Sequence, residues 1–173
     1  MLELLNVDRF DEMYGIMEYS FPESERRSRE GQRRLFADPR YKVAAQSNEN
    51  GRLEAFLAYW QLEKVTFLEH FAVAADLRGA GLGGRFLDEL LTTLKKPVLL
   101  EAEPPETDIA ARRIAFYERH GFVLNGYDYI QPPLGEGRDS IPLKVMTYGE
   151  GLTPESFNAI RAEIYAAVYK LKI

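Results

Sequence analysis

The chain has 173 residues, 46% of them hydrophobic, which is enough for one well-buried core and too few for two ordinary domains. Its 22 Lys and Arg residues against 27 Asp and Glu residues give a net charge of -5, which argues against a protein that binds nucleic acid by neutralising phosphates. The sequence contains no cysteine, so disulfides, thiolate nucleophiles and Cys-ligated metals are excluded. We expect a single domain over residues 1–173, with a core at 1–148 and a C-terminal helical extension at 152–173.

The sequence also predicts a location away from membranes. Its apolar runs fall short of the ~20 residues that cross a bilayer. The start MLELLNVDRFDEMYG carries acids where a signal peptide would need a basic start and an apolar run. With two histidines and no cysteine, we expect no bound metal. These features favour a cytoplasmic protein, monomeric or homodimeric, with neither a membrane nor a nucleic acid as partner.

The first half of the chain reads as a strand, a helix, a charged segment and three more strands. MLELLNV predicts the strand, and DRFDEMYGIMEYSF predicts a helix capped by Asp8, with Phe10, Met13, Met17 and Phe21 on its apolar stripe. PESERRSREGQRRLFADP predicts either a solvated helix face or a substrate lid. YKVAAQ, LEAFLAYWQLE and VTFLEHFAV are joined by short turns, which predicts an antiparallel meander.

The second half alternates between helices and strands. The predicted elements are the helix LGGRFLDELLTTL, the strand KPVLLEAE, the helix DIAARRIAFYERHG and the strands FVLNGYDYI and IPLKVMTYG. TPESFNAIRAEIYAAVYKLKI predicts a final helix capped by Thr153, with Pro154 at its first position. This helix either packs on the rest of the domain or forms a dimer contact. The whole order predicts an α+β fold with a mixed sheet.

A glycine-rich loop, RGAGLGG, joins one strand to the helix that follows it. Gly79, Gly81 and Gly84 satisfy the G-x-G-x-x-G pattern of dinucleotide sites. However, the preceding strands are joined by hairpins, and residues 74–78 separate Val73 from the first glycine. A parallel dinucleotide-binding sheet needs crossover helices and a tight turn, so this pattern is a poor fit.

The same glycines fit the P-loop motif no better. It needs Lys and then Ser or Thr after its last glycine, and Arg85 and Phe86 stand there. What remains is a run of amides with few side chains at the start of a helix, whose dipole adds partial positive charge. Such a loop suits a pyrophosphate that the backbone approaches closely.

Two motifs then resemble one known family. HFAVAADLRGAGLGGRFLDELL resembles the acetyl-CoA signature of the GNAT superfamily of N-acetyltransferases, whose loop is matched by Arg78, Gly81 and Gly83. ARRIAFYERHGFVL is similar to the helix and strand that follow the cofactor strand in that family, with Tyr117 and Gly121 in the characteristic places. The resemblance covers Met1 to about Tyr148.

This resemblance implies a GNAT-like mixed α/β fold. The expected sheet is central, mixed and mostly antiparallel, with about six to seven strands splayed between the fourth and fifth, flanked by helices and followed by an extra C-terminal helix. The implied reaction moves an acetyl group from acetyl-CoA to a primary amine of a small-molecule or peptide acceptor, by direct attack in a ternary complex. A non-catalytic CoA-binding regulatory module is the alternative, and an NAD-binding oxidoreductase is a second rival.

The resemblance also implies a set of site residues. It places Tyr117 near the CoA sulfur as general acid, and a phenol with an ordinary pKa near ~10 stays protonated and able to donate at neutral pH. Arg113 lies one helical turn before Tyr117 and is a candidate for CoA phosphate. The expected cofactor-binding residues are Phe71, Ala72, Val73, Arg78, Gly79, Ala80, Gly81, Leu82, Gly83, Gly84, Arg113 and Tyr117.

Glu69 is the first candidate for the catalytic base. Strand alternation puts it on the same face as Phe71 and Val73, with His70 on the opposite face. Glu101 and Glu103 are reserve candidates, and water alone is a further possibility, as in some family members.

The chain departs from the family pattern at one place and leaves the acceptor open. Ala110 and Arg113 stand where many members carry Asn and a small residue, which puts one hydrogen bond to the pantetheine in doubt.

Four residues form either a wall of the acceptor site or part of the core, namely Trp60, Tyr127, Tyr129 and Gln131. Four acids would suit a cationic amine, namely Glu63, Glu69, Glu101 and Glu103.

Overall fold

A computed structural model describes residues 2–171 of the chain. This part contains eight β-strands and five α-helices, and it divides into two compact units. The first unit comprises the residues up to Gln61 together with Leu68–Leu94, and the second comprises Leu62–Phe67 together with the residues from Lys95 onward. Among the helices described, none is both long and apolar enough to cross a membrane.

The elements are numbered in chain order. The strands are β1 (Leu2–Leu4), β2 (Tyr41–Ser47), β3 (Leu53–Gln61), β4 (Thr66–Val73), β5 (Val98–Ala102), β6 (Phe122–Leu124), β7 (Tyr129–Gln131) and β8 (Ile141–Tyr148). The helices are α1 (Phe10–Ser20), α2 (Arg29–Arg34), α3 (Leu82–Thr93), α4 (Asp108–Arg119) and α5 (Pro154–Ala167).

The first unit is built on the strand order β1-β2-β3-β4. β2 pairs antiparallel with both β1 and β3, with an irregularity at Gln46 and Ser47. α1 packs on β3 and buries Phe10, Met13 and Met17 of the predicted stripe, whereas Phe21 is the C-cap residue and is only partly buried. β3 is buried over nearly its whole length, which explains why LEAFLAYW reads as a continuous apolar run.

The second unit is built around β8, which pairs antiparallel with β5, β6 and β7. α4 packs on β5 and β6. α5 begins as the sequence predicts, because the Thr153 side chain accepts a hydrogen bond from the Ser156 amide at 3.2 Å and Pro154 follows at the start of the helix. Its buried stripe includes Phe157, Ile160 and Ile164.

The α+β fold class with mostly antiparallel strands is confirmed, but the strand count exceeds the expected six to seven. FVLNGYDYI forms β6 and β7 in place of one strand. The break lies at Asn125, which is buried and donates through Nδ2 to Thr147 Oγ1 at 3.0 Å, while its Oδ1 accepts from the Leu152 amide at 2.8 Å. These side-chain bonds fix the turn that separates the two strands.

The start of α1 differs from the sequence prediction. Asp8 lies in a 3-10 turn, Val7–Arg9, and α1 begins at Phe10 without a side-chain cap. Arg9 occupies the cap position and its guanidinium binds Glu12 and Glu3. Ion pairing of this arginine with the first turn of the helix takes the place of the expected Asp8 cap.

The charged segment after α1 is also different from one solvated helix. Only α2 is α-helical there, and it lies between the 3-10 turns Glu23–Glu25 and Leu35–Ala37. Arg27, just before α2, is only 8% exposed. A segment that looks like surface charge in the sequence therefore sends one arginine into the interior of the first unit.

Candidate active site

The glycine loop of the first unit adopts the backbone that its composition predicts. After β4 the chain makes a 3-10 turn, Ala75–Leu77, and then enters the loop. Gly79 has φ +84° and Gly81 has φ +75°, both in the left-handed region that side chains rarely adopt. Gly81 is the N-cap residue of α3. Glycine at these positions is thus a conformational requirement of the turn into the helix.

Gly83 has a different requirement, which is close approach. A Cβ added there would lie 3.2 Å from Val73 Cγ2 and 3.4 Å from Phe71 Cζ. The first turn of α3 therefore rests directly against the end of β4. Gly84 follows in the same turn and is buried, as expected for a helix residue.

The N-terminus of α3 has amides to offer to a ligand. Gly81 makes no side-chain capping bond, and there is no acid in the first turn of this helix. The first amides of any helix lack partners within it, and the helix dipole places partial positive charge at the same end. Combined with left-handed glycines that hold the backbone open, this end of α3 fits a phosphate group.

Arg78 braces this loop. Its Nε donates to the Val73 carbonyl at 3.1 Å, its Nη2 donates to Ser20 Oγ at 2.9 Å, and its guanidinium lies 5.6 Å from the ring centre of Tyr19. The arginine therefore connects the end of β4 and the end of α1 with the loop. The sequence predicts a cofactor-binding role for Arg78 but not these partners, because Tyr19 and Ser20 lie far from it in the chain.

The other predicted cofactor residues of the first unit gather around the same loop. The Phe71 ring lies 6.0 Å from that of Phe86, and Ala72 is buried. The Ala80 carbonyl accepts from Arg85 Nη1 at 3.3 Å, and Leu82 is buried at the start of α3. The loop is thus anchored by side chains on both sides, while Gly79 and Gly81 stay exposed.

Glu69, the first candidate for the base, lies in a buried ion pair. Its Oε1 is 2.7 Å from Arg27 Nη1, and its side chain is 3% exposed. Trp60 Nε1 donates to its Oε2 at 3.0 Å. Burial alone would raise the pKa of Glu69. The Arg27 charge lowers it, aided by His70 and Trp60, and the pKa falls to about 2.

His70 joins the same cluster, which strand alternation does not predict. Its Nδ1 lies 3.7 Å from Glu69 Oε2, although consecutive side chains of a regular strand point to opposite faces. Its Nε2 donates to the Glu25 carbonyl at 2.8 Å. Glu69 and His70 therefore fasten the segment Glu25 to Arg27 onto β4.

Tyr117 lies in α4 of the second unit, which begins at a Thr107 side chain that accepts from the Ala110 amide at 3.1 Å. Tyr117 is half-buried, with ring centres 5.3 Å from Phe116 and 5.6 Å from Phe122. Burial raises its pKa to about 12, against a small opposite effect of the Arg113 charge. The phenol therefore keeps its proton throughout the physiological range.

Arg113 is exposed and already has a partner. Its Nη1 lies 2.5 Å from Glu103 Oε1, and both side chains are in contact with solvent. This pair neutralises Glu103, one of the reserve bases. Arg113 remains accessible for a phosphate, but it would have to share its guanidinium with the carboxylate.

Glu101, the other reserve base, is held by two tyrosines. The Tyr129 hydroxyl donates to its Oε1 at 2.5 Å, and the Tyr169 hydroxyl lies 2.8 Å from both carboxylate oxygens. Tyr129 and Tyr169 are buried, while Glu101 is half-buried. Burial and the adjacent Glu101 charge raise the pKa of Tyr129 well above its usual value, so this phenol stays a donor.

The four candidate acceptor-wall residues take different places. Tyr127 stacks on Phe157 with ring centres 4.4 Å apart and donates to the Leu152 carbonyl, so it belongs to the packing of α5. Trp60 is buried in the first unit, and Tyr129 contacts Glu101. Gln131 is buried, and within residues 2–171 its Nε2 meets no hydrogen-bond acceptor.

Sequence reasoning missed two residues of these clusters, Arg27 and Tyr169. A signal for the first was present, since a carboxylate in the apolar strand TFLEHFAV requires a buried counter-charge. Its identity was hidden among several arginines of similar appearance. Tyr169 lies one helical turn after Tyr165, and no motif or local pattern in the sequence singles it out. Within residues 2–171, no group of three or more His, Asp or Glu side chains is arranged to hold a metal ion.

A strand, a glycine turn and a helix N-terminus within this α+β fold can receive a phosphate-bearing ligand, and comparisons with known proteins show which family has this arrangement. The profile of the Acetyltransferase (GNAT) family matches residues 7–122. A putative GNAT-family acetyltransferase from Bacteroides thetaiotaomicron is 33% identical, and its structure superposes with a TM-score of 0.90 over 99% of both chains. The chain belongs to the GNAT family of acetyltransferases.

Two further relatives show how far the similarity reaches. The putative acetyltransferase YjbC of Bacillus subtilis is 35% identical over 68 residues, which are 38% of this chain and 35% of that protein. The match thus spans about a third of the curated relative's length. The ribosomal-protein-S18-alanine N-acetyltransferase of Escherichia coli is 24% identical, with a TM-score of 0.62 over 90% of this chain and 96% of the other. At this identity the similarity shows the fold alone.

Proposed function

We propose that this chain transfers an acetyl group from acetyl-CoA to a primary amine of a small-molecule or peptide acceptor, by direct attack in a ternary complex. Membership of an acetyltransferase family supports the reaction class. The observation that carries the choice of acetyl-CoA is the pair of left-handed glycines, Gly79 and Gly81, at the uncapped start of α3. That arrangement suits the pyrophosphate of CoA.

In this proposal the loop residues hold acetyl-CoA, which supplies the activated acetyl thioester. The backbone of the loop and of the first turn of α3 binds the pyrophosphate, and Arg78 keeps the loop against the ends of β4 and α1. By the family resemblance, the backbone from Phe71 to Val73 pairs with the pantetheine arm. Arg113 is a further proposed phosphate contact.

Tyr117 is proposed to act as the general acid. As the amine nitrogen forms its bond to the acetyl carbon, the bond from that carbon to sulfur breaks, and the Tyr117 hydroxyl gives its proton to the departing thiolate. A pKa of about 12 keeps this proton in place until the thiolate forms. General acid catalysis of this kind contributes typically about 10²- to 10⁴-fold to the rate.

Glu101 is the carboxylate that we propose as the base. Glu69 was expected in this role from its place on β4, but its pKa of about 2 and its buried contact with Arg27 argue for a structural role. Glu103 already faces Arg113. Glu101 is half-buried, and the hydroxyl groups of Tyr129 and Tyr169 hold its carboxylate in one orientation, in which we propose that it accepts the amine proton as the amine attacks.

Other expectations from the sequence remain predictions. These are the single domain at 1–173 with its core at 1–148 and extension at 152–173, the cytoplasmic location, the monomeric or homodimeric state, and the lack of membrane and nucleic-acid partners.

A half-buried carboxylate beside tyrosines, as at Glu101, favours a cationic amine over a neutral one.

The direct test is a product screen by mass spectrometry with acetyl-CoA and a pooled library of amines, peptides and aminoglycosides. We expect a product heavier by one acetyl group, and we expect Tyr117→Phe to lower kcat by about 10²-fold or more with acetyl-CoA affinity unchanged. The control is Tyr127→Phe, which removes a hydroxyl group that bonds the Leu152 carbonyl next to α5, and this variant should keep the wild-type kcat. Tight acetyl-CoA binding without any product would favour the non-catalytic CoA-binding module.

A further inference from the structure

The phenol contacts on Glu101 come from the C-terminal part of the chain. Tyr129 belongs to β7, and Tyr169 follows the end of α5 at Ala167. Both lie beyond residues 7–122, the segment that matches the family profile. Glu101 itself lies inside that segment. A carboxylate of the family region is therefore held by two hydroxyl groups that the family match does not include.

The end of α5 is held firmly enough to present Tyr169. Glu163 accepts hydrogen bonds from the amides of Glu63 and Lys64 at 2.6 and 3.0 Å, which ties the helix to the turn before β4. The Tyr165 hydroxyl donates to the Ile130 carbonyl in β7 at 2.5 Å. The Glu163 contacts by themselves hold α5 to another segment of the second unit, and the Tyr169 amide donates to the Ile164 carbonyl at 3.4 Å, so Tyr169 occupies a defined position.

Hydroxyl groups that donate hydrogen bonds to a carboxylate affect both its orientation and its charge state. Each hydrogen bond from a hydroxyl group to a charged oxygen fixes the orientation of the carboxylate and favours its ionised form. The Tyr169 hydroxyl contacts both oxygens of Glu101, and Tyr129 contacts one. The ionised carboxylate is thereby kept ready to receive a proton, in one orientation.

We propose that Tyr169 is a positioning residue for Glu101, so that the C-terminal segment after α5 is part of the catalytic apparatus. The inference rests on the proposed function, because it gives Glu101 the role of base. Among residues 2–171, the titratable or charged groups that face this cluster include Tyr129 on β7 and Tyr165 and Arg161 on α5. The β8 residue opposite Glu101 is the apolar Val145.

The test compares Tyr169→Phe with Tyr165→Phe. Both variants lose one hydroxyl from the same end of the chain, but Tyr165 donates to a backbone carbonyl and not to Glu101. For Tyr169→Phe we expect the acidic limb of the kcat/KM profile to move to higher pH by roughly one unit and kcat to fall about tenfold, with acetyl-CoA affinity within about twofold of wild type. Tyr165→Phe should leave the acidic limb in place. Equal shifts in the two variants, or no shift in Tyr169→Phe, would overturn the proposal.

A readout without turnover separates this inference from the proposed function. The Glu101 carboxyl carbon is followed by carbon-13 NMR against pH, with its signal assigned by its loss in Glu101→Gln. A midpoint that rises in Tyr169→Phe and not in Tyr165→Phe supports the contact, and equal midpoints refute it. If wild type transfers no acetyl group while the midpoint still moves, the proposed function fails and the contact stands.

Discussion

Arg27 and Glu69 carry opposite charges in a place where water is almost absent. Removing two ions from water costs several kcal/mol for each, and the attraction between them compensates only if the geometry is good and the other oxygens are bonded. Here the second carboxylate oxygen accepts from Trp60 at 3.0 Å. The pair therefore fastens the segment before α2 to β4, and breaking it leaves a buried charge.

Acid should weaken this pair in a defined range. The pKa of Glu69 falls from an ordinary 4.5 to about 2 in the folded chain, so its stabilisation is fully present above about pH 4.5 and is lost as the pH falls toward 2. We expect this carboxylate to contribute roughly 3 kcal/mol to the loss of unfolding free energy over that range. Urea unfolding at several pH values should show a smaller loss for Glu69→Gln than for wild type.

Two comparisons sharpen that experiment. At neutral pH, Glu69→Gln should lower the free energy of unfolding by roughly 3–5 kcal/mol, since it leaves Arg27 buried without its counter-ion. Asp76→Asn removes an acid from an exposed pair with Arg52 and should have far less effect. The double variant Arg27→Met with Glu69→Leu should recover much of the loss. A double variant as unstable as Glu69→Gln would contradict the explanation.

For single residues, the sequence predicts the roles of some side chains well and those of others poorly. Tyr117 was identified by a motif, and its half-buried phenol is chemically suited to the predicted role. Glu69 was chosen by strand alternation, which says nothing about a partner far away in the chain. The pairing with Arg27 depends on how the segment after α1 folds back, and no local pattern encodes that.

The turn from β4 into α3 is the element on which acetyl-CoA binding is proposed to depend. We predict that Gly81→Ala lowers the free energy of unfolding by roughly 1–2 kcal/mol, because the residue has φ +75°. It should also raise the Kd for acetyl-CoA, measured by calorimetry, because alanine strains the left-handed backbone of the turn and its Cβ would lie 3.1 Å from Arg85 Nη1, so that the arginine side chain must shift.

The chain offers a matched control for this strain. Gly51, in the turn between β2 and β3, has φ +80°, and a Cβ there would meet nothing within 4 Å. Gly51→Ala should therefore cost similar stability and leave acetyl-CoA affinity unchanged. If both variants weakened binding equally, the loop would have no special part in it.

Elements were predictable where the signals are local. Thr153 with Pro154 predicts the start of α5, because a helix cap depends only on neighbouring residues. The division of FVLNGYDYI was not predictable, since it follows from bonds that Asn125 makes to β8 and to Leu152. Side-chain bonds over long sequence separations override local strand preference.

For the whole molecule, the identity of the ligand can be tested through the stability that the ligand adds on binding. Acetyl-CoA at about 1,000 times its Kd should add about 4 kcal/mol of stability. For a chain of this length that corresponds to a rise in Tm of roughly 8–16 °C. A thermal-shift titration should show this rise with acetyl-CoA and no comparable rise with NADH. The reverse result would revive the dinucleotide interpretation of the glycine loop.

The order of elements was sufficient to predict the fold class of the whole chain. Three strands joined by short turns, followed by alternating helices and strands, allow few arrangements, and the two GNAT motifs narrow them further. The number of strands could not be obtained in the same way. Short strands such as β6 and β7 are made by their pairing with β8 and have little pattern of their own.

The buried contact of Arg27 with Glu69 has a consequence for evolution. A single replacement at either position passes through a form with an unpaired buried charge, whereas replacing both by apolar residues does not. Among relatives of this chain, the two positions should therefore change together, appearing as an arginine with a carboxylate or as two apolar side chains.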